Sequence, residues 1–170
     1  MKIRRMTRCG FFGALLVVCG WLAIPFGDGA VTMQTLGVFL TLGLLGGTWG
    51  SLSILIYLGL GAVGLPVFAG FQGGFGVLLG PTGGFLWGFL AGAMVFCLLE
   101  KKLPLWASLM LCQLICYACG IGWYYFTFAQ GGFWLVLMKT LVPYLIPDAI
   151  KLATTLLLIK KLRHVRQIES

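Results

Sequence analysis

The chain has 170 residues, of which 60% are hydrophobic and 9% charged, and its formal net charge is +8. Soluble domains carry about a quarter of charged residues, whereas between Arg8 and Glu100 this chain has a single Asp, Glu, Lys, Arg or His, namely Asp28. This composition excludes a water-soluble fold and predicts an integral membrane protein. Because the polar–apolar alternation of a membrane β-barrel is absent, we expect the fold to be all-α.

The predicted elements are six transmembrane helices, since each crossing takes about 20 apolar residues. In chain order they cover approximately residues 9–26, 34–46, 52–63, 83–99, 105–128 and 140–160, with an irregular outer loop at 64–82. Helices 2 and 3 are too short to cross as simple straight rods. Together these elements predict a single transmembrane domain over residues 1–170.

Basic residues are grouped in three places: the N-terminus, the pair Lys101–Lys102 and the C-terminal tail. Cytoplasmic segments collect Lys and Arg, so all three groups are predicted to lie inside the cell. Two cytoplasmic termini require an even number of crossings, and six satisfies that requirement. We therefore interpret the grouped positive charges as an indication of how the chain is oriented in the membrane. Nucleic-acid binding is not expected, because no basic stripe is interleaved with aromatic residues.

Helix 1 begins with a basic segment and continues as an apolar run, which is also the pattern of a secretory signal. Removal of this segment would leave an odd number of crossings, so we expect it to be retained. Gly10 and Ala14 lie four residues apart on this helix, and such small-residue pairs let helices approach closely in lipid. The pair could contact another helix of the chain or a partner subunit.

The stretch GLPVFAGFQGGFGVLLGPTGG, residues 64–84, holds eight glycines, two prolines and no charged residue. Irregular backbone at membrane depth is tolerated only where it is buried in protein or lines a cavity, and glycine lets a backbone approach a ligand closely. We therefore favour a cavity-lining loop over a loop that merely folds over the helix ends. The chain lacks the Gly-Lys-Ser/Thr of a P-loop, so we do not expect it to hydrolyse ATP itself.

Helix 5 carries three cysteines on one face, Cys112, Cys116 and Cys119. Three cysteines could suggest a metal site, but no His or acidic residue lies at ligand spacing around them. Free cysteine in such a setting behaves as a small buried hydrophobic residue. We predict neither a metal site nor a bound cofactor.

Helix 6 carries two charged residues at membrane depth. Asp148 and Lys151 are three apart and share one helix face. Asp148 precedes Lys160 by about 18 Å at the helical rise per residue, which places the pair near the bilayer midplane. Charges at such depth usually mark function, and Pro147 adds a helix start or a kink beside them. We favour ligand binding over a self-neutralising structural pair, because removing both charges would be the simpler structural solution.

Catalysis has little support in the sequence. The chain has no Ser-His-Asp set and no second intramembrane acid placed for an aspartyl dyad, so we expect no catalytic residues and no enzyme activity. Two alternatives stay open: an intramembrane enzyme that uses Asp148 as acid or base, and a purely structural subunit.

Three segments together resemble one known family. They are VTMQTLGVFL at 31–40, GLPVFAGFQGGFGVLLGPTGGFLWGFLAG at 64–92 and DAIK at 148–151. They are similar to BioY, the biotin-binding S component of energy-coupling factor (ECF) transporters, and the resemblance extends from about residue 24 to residue 155.

The resemblance implies a function and partners. It implies a six-helix protein in the cell membrane of a prokaryote, which captures biotin in an outward-opening pocket. Import would need a transmembrane T component and a pair of ATPases, which agrees with the missing P-loop. Gly10 and Ala14 would then meet the T component. An S component for another small vitamin is the alternative.

The resemblance also suggests roles for individual residues. Asp148 would accept hydrogen bonds from the ureido N–H groups of biotin. Lys151 would donate to the ureido carbonyl or to the carboxylate, and we favour the ureido end because the two residues share one helix face. Gln72 would reach the carboxylate. Further candidates for the same pocket are Gly73, Gly74, Gln34 and Tyr57.

Overall fold

The computed structural model describes residues 2–26, 29–128 and 132–168. In these ranges the chain forms a β-hairpin, a 3-10 turn at Ala69–Phe71 and eight α-helices. The strands are β1 (Ala23–Phe26) and β2 (Gly29–Thr32). The helices are α1 (Lys2–Trp21), α2 (Gln34–Leu45), α3 (Gly47–Ala62), α4 (Phe75–Leu78), α5 (Gly83–Leu99), α6 (Leu105–Phe128), α7 (Phe133–Thr140) and α8 (Val142–Ile168).

The helices agree with a membrane protein in length and composition. Among the described residues, two helical stretches, Leu105–Phe128 and Phe133–Leu162, are long and apolar enough to cross a bilayer, and α2, α3 and α5 are shorter apolar helices. At the helical rise, the 12 residues of α2 extend about 18 Å, well short of a hydrocarbon core of about 30 Å. The expectation that helix 2 is short is therefore confirmed.

The expectation of an all-α fold is wrong at the end of helix 1. The helix stops at Trp21, and β1 pairs antiparallel with β2, with Ala23 opposite Thr32 and Ile24 opposite Val31. Pro25 has no N–H to continue a helix, and β-branched residues favour strands. The tip of the hairpin, 27–28, lies outside the described residues. At its other end α1 extends to Lys2, because the helix continues from the apolar run into the basic segment.

Helix 3 begins at Gly47 rather than at Leu52, so residues 47–51, which were predicted to connect helices 2 and 3, are helical. The turn between α2 and α3 is reduced to Gly46, whose φ of +81° suits glycine. The amide of Gly47 donates to Glu100 Oε2 at 2.7 Å, and this carboxylate stabilises the start of α3. This segment alone does not show where the helix begins, because its partner Glu100 lies far away in sequence, directly after α5.

The last predicted helix also begins earlier than expected. Helix α7 starts at Phe133 and only Leu141 separates it from α8, whereas residue 140 was predicted as the start. The segment FWLVLMKT is apolar and contains no glycine or proline, so nothing in it opposes a helix.

Close helix packing depends on glycine in α5. A Cβ on Gly88 would lie 2.8 Å from Cys116 Cα, and a Cβ on Gly92 would lie 2.7 Å from the Cys112 carbonyl oxygen. These glycines therefore let α5 and α6 approach more closely than any larger residue would allow. Cys112 and Cys116 are buried in this contact as free thiols, as predicted, whereas the third cysteine of this face, Cys119, is only half-buried.

The connections are gathered at two ends of the helical bundle. We call one the loop end; it carries the hairpin, residues 63–82 and the end of α6, where the Trp123 indole donates to the Gly80 carbonyl oxygen at 3.0 Å. The opposite end carries the α2–α3 turn and the α5–α6 connection, joined by the bond between Gly47 and Glu100. This alternation places the glycine-rich loop and the first turn of α8 at the same end.

Candidate ligand-binding site

A cavity of about 770 Å³, counting its open mouth, lies between α2, α5, α6, α8 and the glycine-rich loop. Its apolar lining consists of Phe68, Ala69, Val77, Phe85, Leu86, Phe89 and Cys116. Its polar lining consists of Thr32, Gln34, Thr35, Gln72, Thr82, Gln113, Tyr117, Tyr144, Asp148 and Lys151. The loop therefore lines a cavity, as its composition predicted.

The charged pair of α8 faces this cavity. Asp148 and Lys151 are each 6% exposed, and Lys151 Nζ donates to Asp148 Oδ1 at 2.7 Å. The other carboxylate oxygen, Oδ2, accepts from Tyr117 Oη at 2.7 Å and from Gln113 Nε2 at 2.8 Å. Four side chains from α6 and α8 thus form one network in the wall of the cavity.

This network leaves binding capacity on both charged residues. A carboxylate offers about four acceptor positions and an ammonium three donors. Tyr117, Gln113 and Lys151 use three of the acceptor positions on Asp148, and Asp148 uses one donor of Lys151. Because the two opposite charges compensate each other, the network can present both donors and an acceptor to an uncharged polar ligand group.

Pro147 lies inside α8. Of the two predicted alternatives, a helix start or a kink, the helix start is therefore wrong. A proline removes the hydrogen bond to the carbonyl four residues earlier, here that of Pro143. The backbone group that Pro147 leaves without its helical partner is therefore a hydrogen-bond acceptor.

Two of the predicted residues, Gln34 and Tyr57, are joined to each other, but only Gln34 lines the cavity. The Gln34 amide donates to the Tyr57 hydroxyl, which in turn donates to the Val67 carbonyl oxygen at 3.2 Å. Tyr57 is 1% exposed and lies behind the lining. It connects α2 and α3 to the glycine-rich loop.

Gln72, Gly73 and Gly74 have different positions. Gln72 lines the cavity, whereas the two glycines shape the loop. A Cβ on Gly73 would lie 2.1 Å from the Leu65 carbonyl oxygen. Gly74 has a φ of +94°, and its amide donates to the Gly61 carbonyl oxygen at 2.7 Å. Both glycines therefore act on the cavity through the path of the backbone.

Sequence reasoning missed Gln113, Tyr117 and Tyr144. Gln113 is a polar residue in an otherwise apolar part of α6, and Tyr117 follows it by one helical turn. Residues at that spacing share a helix face, so the pair carried a signal. Nothing in the sequence shows that this face of α6 turns toward Asp148, because that depends on how the two helices are rotated.

Gly10 and Ala14 are exposed on α1, and a Cβ on Gly10 would meet no atom within 4 Å. Within the described part of the chain, this small-residue pair is therefore not used for packing of one helix on another. Their predicted contact with a partner stays a prediction.

Tyr117→Phe is expected to lower stability, because it removes one of the neutral donors to the buried Asp148 carboxylate. A hydrogen bond to a charged group contributes about 1.5–3 kcal/mol. The measurement is the thermal unfolding midpoint in detergent. Tyr125→Phe, at a tyrosine 36% exposed, is the matched control and should leave the midpoint unchanged. Equal midpoints for the two variants would show that Tyr117 does not support Asp148.

Comparisons with known proteins agree with one another. The chain matches the model of the BioY family over residues 1–168. It is 38% identical over 167 residues to the biotin transporter BioY of Thermotoga maritima, covering 96% of this chain and 98% of that protein. It is also 38% identical over 158 residues to the biotin transporter BioY of Rhodobacter capsulatus, covering 91% and 82% of the two chains. Its fold matches the crystal structure of the S component for biotin from an ECF-type ABC transporter with a TM-score of 0.84 and 28% identity, over 96% of this chain and 92% of that one.

Proposed function

This chain belongs to the BioY family, and from that premise we propose that it is the S component of an ECF transporter, which captures biotin for ATP-driven uptake. The observation that carries the proposal is the buried Asp148–Lys151 pair in the cavity wall. Two relatives named as biotin transporters and the S component for biotin support the same function.

The ureido ring of biotin fits the network around Asp148. One of its N–H groups can donate to the remaining acceptor position of Asp148, and its carbonyl can accept from a donor of Lys151 that Asp148 does not use. The aromatic side chains of Phe85 and Phe89 line the same cavity and suit the apolar thiophane ring. Binding needs no chemical step, so the role of these side chains is recognition.

The carboxylate of biotin belongs at the loop end of the cavity. A third charge beside the compensated pair would be buried without a partner, which costs free energy. At the loop end the polar side chains of the lining are neutral, namely those of Thr32, Gln72 and Thr82, and they lie beside apolar residues of the loop. The carboxylate would therefore stay near water, with Gln72 as a hydrogen-bond donor.

The topology that we propose places the loop end outside the cell and both termini in the cytoplasm, in one transmembrane domain of a prokaryotic cell membrane. The six crossings are α1, α2, α3, α5, α6 and the nearly continuous α7–α8. Basic residues of the opposite end, such as Lys101 and Lys160, support this orientation. The exposed Gly10 and Ala14 on α1 would contact the T component, and a pair of ATPases would supply the energy.

Equilibrium binding of labelled biotin to the purified chain tests the proposed function. We expect saturable binding that excess unlabelled biotin abolishes. Riboflavin and thiamine serve as competitors for the alternative of another vitamin. Absence of saturable biotin binding, or displacement by another vitamin at lower concentration, would contradict the proposal.

Neutral derivatives of biotin test where the carboxylate lies. Biotin methyl ester and biotinamide should bind within about fivefold of biotin, because an exposed charge contributes at most about 1 kcal/mol. An analogue with methylated ureido nitrogens should bind about 100-fold more weakly, since it leaves buried polar groups unpaired. Competition against labelled biotin measures both. The reverse order of affinities would place the carboxylate at Lys151.

A further inference from the structure

Tryptophan side chains from three helices hold the glycine-rich loop by its backbone. In each contact the indole N–H donates to a carbonyl oxygen of the loop. The contacts are Trp21 to Pro66 at 2.8 Å, Trp87 to Leu78 at 3.2 Å and Trp123 to Gly80 at 3.0 Å. The loop is therefore attached at both of its halves, by α1 on one side and by α5 and α6 on the other.

The two halves of the glycine-rich loop differ in how they are held in place. Residues 78–80 lead directly into α5, which begins at Gly83, so the chain itself holds them in place. The first half supplies Phe68, Ala69 and Gln72 to the cavity lining, and the second half supplies Val77 and Thr82. The first half is held by hydrogen bonds to α3, from Tyr57 to Val67 and from Gly74 to Gly61, and on the side of α1 by Trp21.

The backbone conformation of Phe71 is a second, independent observation that this half of the loop is held by α1. In the described part of the chain it is the only non-glycine residue with positive φ, at +58°, a conformation that costs free energy for a residue with a side chain. Its side chain is 63% exposed with respect to the rest of the protein, so only a minor part of it packs on the chain. Its ring is stacked on Trp21, with centroids 5.1 Å apart and planes at 29°.

We propose that Trp21 and Phe71 form a clasp that positions the first half of the loop over the cavity and so sets how slowly the ligand leaves. The clasp joins α1 to the turn between Phe68 and Gln72, whose ends are held together by the Phe68 amide donating to the Gln72 carbonyl oxygen at 2.9 Å. Because these two residues line the cavity, Trp21 acts through them and is a positioning residue. The assignment of a ligand rests on the proposed function.

The inner side of the same turn explains why the clasp acts on the turn as a unit. Phe68 is 1% exposed and its ring meets the Tyr57 ring edge-on at 5.6 Å. Gly61 leaves room for it, since a Cβ there would lie 2.0 Å from Phe68 Cζ. When the turn lifts, Phe68 must leave this pocket in α3, so opening is a defined event that the Trp21–Phe71 contact opposes.

Hydrogen exchange tests the clasp without a ligand. In Trp21→Leu we expect the amides of Phe68 and Gly74, which donate to Gln72 and Gly61, to exchange at least about tenfold faster. Exchange at 79–83 should stay unchanged, because Trp87 and Trp123 still hold that half. Trp106→Leu, at an exposed tryptophan near the start of α6, is the control. Equal exchange in Trp21→Leu and the wild-type chain would overturn the clasp, as would a general increase over both halves.

The rate of biotin release tests the proposed effect of the clasp on the ligand. Trp21→Leu and Phe71→Gly should each release biotin at least about tenfold faster. The double variant should release it no faster than Trp21→Leu alone, since that variant already removes the ring contact together with the hydrogen bond to Pro66. Trp21→Phe, which keeps a ring for stacking, should release it more slowly than Trp21→Leu. Additive effects, or equal effects of Trp106→Leu, would overturn the proposal. Failure of the wild-type chain to bind biotin would refute the proposed function alone, while hydrogen exchange would still decide on the clasp.

Discussion

Asp148→Asn is expected to weaken biotin binding by about 100-fold, because truncating one partner of a buried hydrogen-bonded charge pair costs about 2–5 kcal/mol. The variant loses the charge that orients Lys151, and an amide presents an N–H donor where the ureido N–H groups need an acceptor. Equilibrium binding of labelled biotin measures the effect.

A double variant separates recognition from structural neutralisation. Asp148→Asn alone leaves the buried Lys151 charge uncompensated, so it should also lower the thermal midpoint. Asp148→Asn combined with Lys151→Met removes both charges and should recover much of the stability. We expect biotin binding to stay lost in the double variant. Recovery of binding together with stability would show that the pair is structural and that other residues recognise the ligand.

Glu100→Gln is the matched control for loss of a carboxylate. Glu100 lies at the opposite end of the bundle, where it accepts from the Gly47 amide, and a glutamine oxygen can still accept that bond. Binding of biotin should therefore be unchanged in this variant. A comparable loss of affinity would mean that the effect at Asp148 comes from a general change in charge.

Gly73→Ala is expected to weaken biotin binding by about tenfold or more. The added Cβ would lie 2.1 Å from the Leu65 carbonyl oxygen, and a backbone atom cannot move aside as a flexible side chain can. The loop must shift, and Gln72 moves with it. Such overpacking costs about 1–3 kcal/mol, so the thermal midpoint should fall as well.

Gly76→Ala is the matched control in the same loop, because a Cβ on Gly76 meets no atom within 4 Å. Neither Gly73 nor Gly76 has a positive φ. A comparison of the two variants therefore measures the effect of the close approach of Gly73 to Leu65 and not of backbone strain. Biotin affinity should be unchanged in Gly76→Ala. Equal affinities of the two variants would refute the inferred role of the contact between Gly73 and Leu65.

The part of the site that could be predicted is local in sequence. The helical period alone places Asp148 and Lys151 on one face, and the structure shows them 2.7 Å apart. The composition of residues 64–84 predicted a cavity-lining loop, and the structure places Gln72 in that lining. Each of these inferences uses a spacing or a composition within one segment. Neither property depends on where that segment lies in the folded protein.

The misplaced boundaries have a different cause. The hairpin at Ala23–Thr32 was predicted as the end of a helix followed by a turn, because apolar residues satisfy a helix and a strand alike over so short a stretch. The predicted start of helix 3, residue 52, lies after the observed start of α3 at Gly47. Glu100, which accepts from the Gly47 amide at the start of that helix, belongs to a different part of the chain.

By itself, the sequence determined that the protein is helical and built for a membrane, that a charged pair is buried in its last helix and that a glycine-rich segment lines a cavity. Only the tertiary structure decided which side chains meet that pair, Gln113 and Tyr117, and that Trp21 holds the loop through Pro66 and Phe71. The physical reason is that neighbours along a helix are set by its 3.6-residue period. Neighbours across helices depend on rotation, register and close packing, which the chain reaches only when all its segments are assembled.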